Sequence, residues 1–262
     1  MKNKLVALIC AFLLLILALC VRFCSPEEAE LAAEIIVAVM EVIEEYEEAP
    51  PEQEAEPVPT AKEPGQRAPE KIPVFSGEPY VVINGNTPFF REEEYTTESY
   101  EFFSPLDELG RCGMVMACIG QDLMPRSERG DIGHVKPAGW HSVSYDCVEG
   151  GSLYNRCHLL GFQLTGENAN RQNLITGTRF MNVEGMLPFE DMVADFVRES
   201  DEHVLYRVTP IYEKEDDLVA IGVLMEGLSV EDRGESICFC VFVYNSQPGI
   251  GIDYATGDSW EE

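Results

Sequence analysis

Apolar positions divide the chain into a hydrophobic start, a polar middle and a longer patterned region. Residues 5–21 form one unbroken apolar run, whereas residues 22–73 contain few apolar segments. From residue 74 onward, short apolar segments alternate with turn residues, which is typical of strands. Strands are predicted over Pro79–Asn84, Gly113–Cys118, His203–Tyr212, Leu218–Met225 and Ser236–Tyr244. The charged segment 213–217 separates two of them and predicts a hairpin.

One amphipathic helix is predicted to open at Pro188, since proline is tolerated in a first helical turn. Its apolar residues recur at i, i+3, i+4, i+7 and i+8 and would form one buried face: Phe189, Met192, Val193, Phe196 and Val197. Strands that follow one another closely favour an antiparallel sheet, so the predicted fold class is α+β with a central antiparallel sheet. Residues 126–182 are polar and show little periodicity, which is typical of a functional segment in a domain with a good core.

The first 24 residues predict a targeting or anchoring segment. Lys2 and Lys4 precede the apolar run, which as a helix would span roughly 25 Å, at the short edge for a membrane crossing. The same pattern is typical of a secretory signal peptide. A lipoprotein cleavage box at Cys20 is disfavoured because Leu19 is large for the preceding position. All three interpretations of this segment predict a protein that is secreted or anchored on the outer face of the cytoplasmic membrane.

Residues 25–73 predict a spacer and residues 74–262 a single domain. Ser25 is a good helix cap, and apolar residues at helical spacing continue to Ile43, which indicates a short amphipathic helix. The segment from Ala49 to Pro73 is rich in proline, glutamate and alanine and favours an extended linker.

The net charge narrows the class of function. The chain has 47 acidic and 18 basic residues, a formal charge of −29. This excludes a basic nucleic-acid coat and a polybasic membrane binder, but it leaves room for a metal-dependent enzyme with a few local arginines. Half of the basic residues of the domain lie between positions 126 and 179, which indicates a local substrate face: Arg126, Arg129, Lys136, Arg156, Arg171 and Arg179.

The candidate chemistry lies in the same polar stretch. Arg156 and His158 stand two residues apart in an apolar setting, and residues 165–173 are dense in asparagine. A histidine in such a setting is more often a hydrogen-bonded core residue, and an asparagine near a turn usually supports that turn. Histidine is scarce, with four in the chain. Since His158 lies close in sequence to Arg156 and to several asparagines, a functional site is favoured.

Several strings in this order resemble the DNA/RNA non-specific endonuclease family of the ββα-metal (His-Me finger) type, most closely its secreted bacterial DNase branch. They are Asn155–His158, Gly161–Asn170, Asn173–Arg179, Met181–Asn182 and Gly185–Glu190, within a resemblance that runs from about Glu78 to Ser259. The resemblance implies a ββα-metal catalytic motif on the central sheet. It also implies a Mg²⁺-dependent endonuclease, with Mn²⁺ as an alternative cation, that hydrolyses DNA with little sequence preference and has RNA as an alternative substrate.

The resemblance implies a role for four residues. By position, His158 is the general base, Arg156 contacts phosphate, Asn182 binds the metal directly and Glu190 holds metal-bound water. Because Pro188 falls between Asn182 and Glu190, the acids Glu184 and Glu199 are alternatives to Glu190. The expected substrate contacts are Arg179, Arg171, Asn173 and Lys136.

The chain departs from the family's Asp-Arg-Gly-His motif at two positions, where Asn155 replaces aspartate and Cys157 replaces glycine. Adjacent residues of an extended segment point to opposite sides, so Cys157 is interpreted as a buried filler rather than a thiol nucleophile. An extracytoplasmic location would allow a disulfide between Cys112 and Cys118. A catalytically silent nucleic-acid binding or uptake module on the same fold is the alternative function, and no obligate protein partner is evident.

Overall fold

The computed structural model of the protein describes residues 72–262. The predicted leader, amphipathic helix and nearly all of the linker lie outside the described residues. Within residues 72–262, no helix combines the length and apolar character needed to cross a membrane.

Ten strands and two helices make up this region. The strands are β1 (Tyr80–Val82), β2 (Tyr100–Phe103), β3 (Val115–Ile119), β4 (Tyr154–His158), β5 (Leu174–Thr178), β6 (Val204–Ile211), β7 (Gly222–Ser229), β8 (Cys238–Tyr244), β9 (Ile250–Ile252) and β10 (Ser259–Glu261). Helix α1 covers Phe162–Thr165, and a π-helical segment at Met181–Met186 leads directly into helix α2 at Leu187–Ser200. Short 3-10 turns lie at Asn84–Asn86 and Glu92–Glu94.

A six-stranded antiparallel sheet in the order β1-β8-β7-β6-β3-β2 forms the centre, which confirms the predicted antiparallel sheet. The predicted hairpin is the pair β6 and β7, joined by a longer connection than expected. β7 begins at Gly222 rather than Leu218, because the Val219 N–H donates to the Tyr254 carbonyl and that segment leaves the hairpin.

The main core lies between one face of the sheet and a layer formed by α2 with the β4–β5 ribbon. Phe189, Val193 and Val197 are buried there, as the helical pattern predicts, and Phe196 packs against them. Met192 is 47% exposed, so its predicted burial is wrong. The i, i+4, i+8 row through Val193 points directly at the sheet, which leaves position 192 at the margin of the face.

The opposite face of the sheet is covered by the segment 83–95, which explains why β6 and β7 are buried on both sides. Arg207 lies on this face and donates two hydrogen bonds to Glu226, at 2.7 and 2.8 Å. The Phe89 N–H donates to the same carboxylate at 2.7 Å. A buried charge needs such a partner, so the ion pair fixes the covering segment on the sheet.

The β4–β5 ribbon is fastened to the central sheet by one buried asparagine. Asn245, at the end of β8, is fully buried. Its side-chain oxygen accepts the Thr178 N–H at 2.8 Å, and its amide donates to the carbonyls of Thr176 and Ala220 at 3.0 and 2.9 Å. These bonds set the position of the ribbon, and with it the start of the helical run that follows.

The cysteines of residues 72–262 are all free. Cys112 and Cys118 do not form the disulfide that the sequence left open. The Cys112 thiol donates to the carbonyls of Arg171 and Leu174, both at 3.3 Å, and the Cys118 thiol donates to the Thr96 carbonyl at 3.1 Å. Each thiol is buried as a weak hydrogen-bond donor.

Candidate active site

A cleft of about 770 Å³ opens beside the β4–β5 ribbon. Its walls are the residues of β4, the loop 129–144, the start of α1 and the first turn of α2. The cleft brings together residues that are widely separated in sequence, among them Arg129, Arg156, His158, Asn182 and Glu190. Four of these five are sequence-predicted site residues, and the fifth, Arg129, belongs to the predicted basic cluster.

His158 ends β4 and is 6% exposed. Its Nε2 lies 2.7 Å from the Asn168 carbonyl, which can only accept, so Nε2 carries the proton. Its Nδ1 lies 3.3 Å from Nη2 of Arg129, which can only donate, so Nδ1 is the unprotonated acceptor nitrogen. Burial, assisted by the nearby Arg129 charge, lowers the pKa of His158 to about 4. The ring is therefore neutral at physiological pH, with its basic nitrogen fixed.

Asn182 and Glu190 lie on one continuous helical run in spite of Pro188. In the π-helical segment the turn is wider, and the Leu187 N–H donates to the Asn182 carbonyl five residues earlier. Pro188 then occupies the first turn of α2, where a missing N–H is tolerated. The alternatives Glu184 and Glu199 are exposed and lie outside the cleft wall.

Polar atoms on this helix face the cleft with few protein partners. The side chain of Asn182 makes no hydrogen bond to any residue within 72–262. The Glu190 carboxylate lies against Gly161, where an added Cβ would come within 2.7 Å of the carboxylate carbon. Burial, with the neighbouring Asp191 charge, raises the pKa of Glu190 to about 8, while Arg129 acts in the opposite direction.

Arg156 holds the cleft loop. Its Nε donates to the Val135 carbonyl at 2.5 Å and its Nη2 to the Gly133 carbonyl at 2.7 Å, while its guanidinium stacks on the Trp140 ring at 4.0 Å. Two donors of the fork are therefore taken by the protein. Its other N–H donors are left for the phosphate contact that the resemblance implies, which stays a prediction, and the stacking gives Trp140 a packing role.

The four expected substrate contacts divide into three cases. Arg179 lines the cleft. Arg171 and Lys136 are exposed and lie outside its wall. Asn173 is a correction: it is fully buried, its oxygen accepts the Leu160 N–H at 2.8 Å and its amide donates to the Leu160 carbonyl at 2.9 Å. Its polar atoms are satisfied within the protein, so it supports the loop instead of touching a substrate.

Cys157 is a core residue, as predicted. It is fully buried among apolar side chains, and burial raises the pKa of its thiol far above the ordinary range. A thiol that stays protonated is a poor nucleophile. Gly177, on the paired strand, makes room for it, because an added Cβ there would lie 2.4 Å from the Cys157 Sγ.

A comparison with protein families decides the identity. Residues 91–230, more than half of the chain, match the family model described as DNA/RNA non-specific endonuclease. The chain belongs to the DNA/RNA non-specific endonuclease family. This confirms the resemblance that the motifs indicated, and it identifies the protein as an enzyme whose substrate is nucleic acid.

Solved structures agree with the family. NucA from Streptococcus agalactiae with magnesium ion bound is 26% identical with a TM-score of 0.61, covering 69% of this chain and 86% of NucA. The metal-free NucA structure is 25% identical over the same shares. Sda1 nuclease with bound zinc ion is 25% identical with a TM-score of 0.60, covering 71% of this chain and 97% of Sda1.

Three features of this endonuclease site were missed in the sequence. Arg129 was counted only as one member of the basic cluster, and its contact with His158 depends on how the loop folds. The Asn168 contact uses a backbone carbonyl, which any residue type would supply. Gly161 stands three residues after His158, and only the structure shows that its missing side chain makes room for Glu190.

Proposed function

We propose that this endonuclease is an extracytoplasmic, Mg²⁺-dependent enzyme that hydrolyses phosphodiester bonds of DNA, and also of RNA, with little sequence preference. His158 is the general base and Asn182 the metal ligand. The observation that carries the proposal is a neutral, buried imidazole at the end of β4, in one cleft with the amide of Asn182 and the carboxylate of Glu190. Strands β4 and β5, followed by the helical run that continues into α2, correspond to the ββα-metal arrangement.

His158 acts through Nδ1. The Asn168 carbonyl fixes the proton on Nε2, so Nδ1 is oriented to take a proton from the attacking water. Arg129 donates to the same nitrogen in the structure. A water must take its place before reaction, and the displaced guanidinium can then pair with a phosphate oxygen of the substrate. Arg129 thus stabilises the developing negative charge after it leaves the base.

The residues present fit a divalent cation. Amide and carboxylate oxygens are the hard donors that Mg²⁺ prefers. The Asn182 side chain is unpartnered within residues 72–262, and the Gly161 surface leaves room around the Glu190 carboxylate. When bound, the cation supplies positive charge for the non-bridging and leaving oxygens of the phosphodiester. Structures of NucA with magnesium and Sda1 with zinc support a divalent ion here.

Gly161→Ala is expected to raise the Mg²⁺ concentration for half-maximal activity about tenfold, with a smaller loss at saturating Mg²⁺. The new methyl group would push the Glu190 carboxylate out of its position, and disturbance of a ligand shell costs about 10- to 100-fold in metal affinity. A Mg²⁺ titration of cleavage rate measures the effect. An unchanged Mg²⁺ requirement would show that the space beside Gly161 does not position the Glu190 carboxylate.

Arg156 has a positioning role. By holding the carbonyls of Gly133 and Val135, it orders the loop that carries Arg129 and Trp140 into the cleft.

Phosphate contacts carry no sequence information, so a site that recognises the backbone cleaves with little preference.

The organisation of the whole chain is also proposed. Residues 1–24 act as signal peptide or anchor, residues 25–73 as an acidic spacer, and residues 74–262 as the endonuclease domain. The basic start and apolar run of the leader support export to the outer side of the cytoplasmic membrane.

Nicking of supercoiled plasmid by the full chain tests the function. Cleavage is expected with Mg²⁺, with none in EDTA, and the products should have no common terminal base. Absence of cleavage by folded protein across Mg²⁺, Mn²⁺ and Zn²⁺ would contradict the proposal and favour a silent binding module.

A further inference from the structure

Two hydrogen-bond donors in the cleft are buried and have no partner within residues 72–262. They are the Nδ2 of Asn155 and the Nε of Arg179. A buried donor without an acceptor is costly, and native proteins retain few of them. Both residues line the cleft. Neither is needed for the base, the metal ligands or the loop contacts described above. Both side chains are partly exposed and line the cleft, so a small side-chain rotation would bring each donor to an acceptor there.

The ribbon places these two residues side by side. Asn155 of β4 lies opposite Gly177 of β5. Arg179 follows the end of β5 at Thr178 and begins the helical run, while its N–H still donates to the Leu153 carbonyl at 2.8 Å. This bond extends the pairing with β4, so Arg179 lies opposite Leu153, two residues before Asn155. Backbone positions in this relation lie about 7 Å apart, a gap that one phosphate group can bridge with two of its oxygens.

The charge of the cleft favours an anion. Glu190 is the one acidic residue among the described residues of its wall, against Arg129, Arg156 and Arg179. The chain as a whole carries −29, so this balance is local. Arg129 is engaged with His158 and Arg156 with backbone carbonyls. Arg179 has no ion pair within residues 72–262, which leaves its charge available to a ligand.

The two donors lie at a distance from the reacting centre. Asn155 precedes His158 by three residues along β4, which is roughly 10 Å at the rise of a strand. A phosphate held there would therefore be a different one from the scissile phosphate. The separation is comparable with one or two nucleotide steps of a single strand.

We propose that Asn155 and Arg179 form a second phosphate subsite, which binds a neighbouring phosphate of the strand being cut. The inference rests on the proposed function and deepens it. It also gives a reason for Asn155, where the family motif has aspartate. An ionised aspartate only accepts hydrogen bonds and repels phosphate, whereas the asparagine amide donates. With asparagine at position 155, the side chain can donate a hydrogen bond to a phosphate, which an ionised aspartate there could not do.

Kinetics on two substrates test the subsite. Bis(p-nitrophenyl) phosphate has one phosphodiester and no neighbouring phosphate, whereas a ten-nucleotide single strand has both. In the full chain with saturating Mg²⁺, Asn155→Ala and Arg179→Met are each expected to raise KM for the oligonucleotide about tenfold, the value of one hydrogen bond to a charged group. Asn155→Asp should raise it further. All three should change kcat/KM on the small substrate less than twofold.

Arg198→Met is the matched control, because Arg198 is exposed on α2 and paired with Asp195 outside the cleft. Equal losses on both substrates would overturn the subsite and place these residues in the reacting centre or in folding. No change on either substrate would also overturn it. Asn155→Asp and Arg179→Lys keep the side-chain size, so they remain informative where a truncated variant fails to fold.

Binding measured without turnover separates this inference from the proposed function. Fluorescence anisotropy of a labelled oligonucleotide in EDTA reports affinity when no cleavage occurs. Arg179→Met should reduce the slope of log K against log salt by about one relative to the unmodified chain. A protein that cleaves neither substrate would contradict the nuclease mechanism, and an unchanged slope would contradict the subsite alone.

Discussion

Replacing His158 by alanine is expected to lower kcat by about a thousandfold, the middle of the range for loss of a general base. Nδ1 is the unprotonated acceptor nitrogen of the ring, and removing it leaves water as the base for attack on the phosphodiester. KM should change little, because the proposed phosphate contacts belong to arginines. Initial rates of plasmid nicking at saturating Mg²⁺ measure the effect. A kcat within tenfold of the unmodified protein would contradict the assignment.

His203→Ala is the matched histidine control. His203 precedes β6, outside the cleft, and its Nδ1 pairs with Glu231 at 2.7 Å. Its removal should leave kcat unchanged within a factor of two. A melting curve of both variants separates loss of the base from loss of fold.

The pH profile of the unmodified enzyme follows from the same residue. The pKa of His158 is lowered to about 4, so the ring keeps its acceptor nitrogen at every pH well above that value. Protonation on acidification removes the base, so activity is lost as the pH falls, with the limb well below the ordinary histidine pKa of about 6.5. A bound cation opposes protonation of Glu190, whose pKa burial raises to about 8 in its absence, so at saturating Mg²⁺ the rate should stay level from about pH 6 to pH 7.5. A limb centred near pH 6.5 would show an exposed, unperturbed ring.

The sequence predicted five of the six strands of the central sheet, all except the edge strand β2, and missed those of the ribbon, for a physical reason. β3, β6 and β8 lie between two packed layers, so their residues form nearly continuous apolar runs that signal a strand. β4 (YNRCH) and β5 (LITGT) mix polar with apolar residues without regular alternation, over only five residues each, so neither strand shows a clear pattern. The bonds that fix them come from Asn245, which is about seventy residues further along the chain.

Motif strings located the site residues but left the orientation of their side chains unknown. His158, Asn182 and Glu190 share one cleft, as the resemblance implied. Arg156 and Asn173 stand in the same strings, yet their donors turn to backbone carbonyls of the protein. Whether a polar side chain meets substrate or supports a loop depends on which carbonyls the fold leaves unpaired, and that is set by contacts distant in sequence.

The helical continuity from Asn182 to Glu190 was also beyond the sequence. A proline between two ligands normally argues for a break. The π-helical turn widens the backbone before Pro188, so the helix continues and both side chains reach one wall. π-helical turns carry no reliable signal in a single sequence, and they occur frequently at functional sites.

Asn182→Ala is expected to raise the Mg²⁺ concentration for half-maximal activity by at least about a hundredfold, and to abolish activity at millimolar Mg²⁺. Loss of an outer-shell partner alone costs 10- to 100-fold in metal affinity, and this change removes a direct ligand. The binding of Mn²⁺ measured by electron paramagnetic resonance reports the loss independently of turnover. An unchanged Mn²⁺ affinity would show that Asn182 is not a ligand.

Asn182→Asp separates the oxygen from its charge. The carboxylate keeps a hard oxygen at the same position, so Mn²⁺ affinity should be retained or increased. The rate should nevertheless fall, because a negative ligand neutralises part of the cation's charge that would otherwise act on the phosphodiester. A neutral amide leaves most of that charge for the transition state. Tight binding with slow cleavage in this variant, beside weak binding in Asn182→Ala, would show that the neutrality of the ligand serves catalysis.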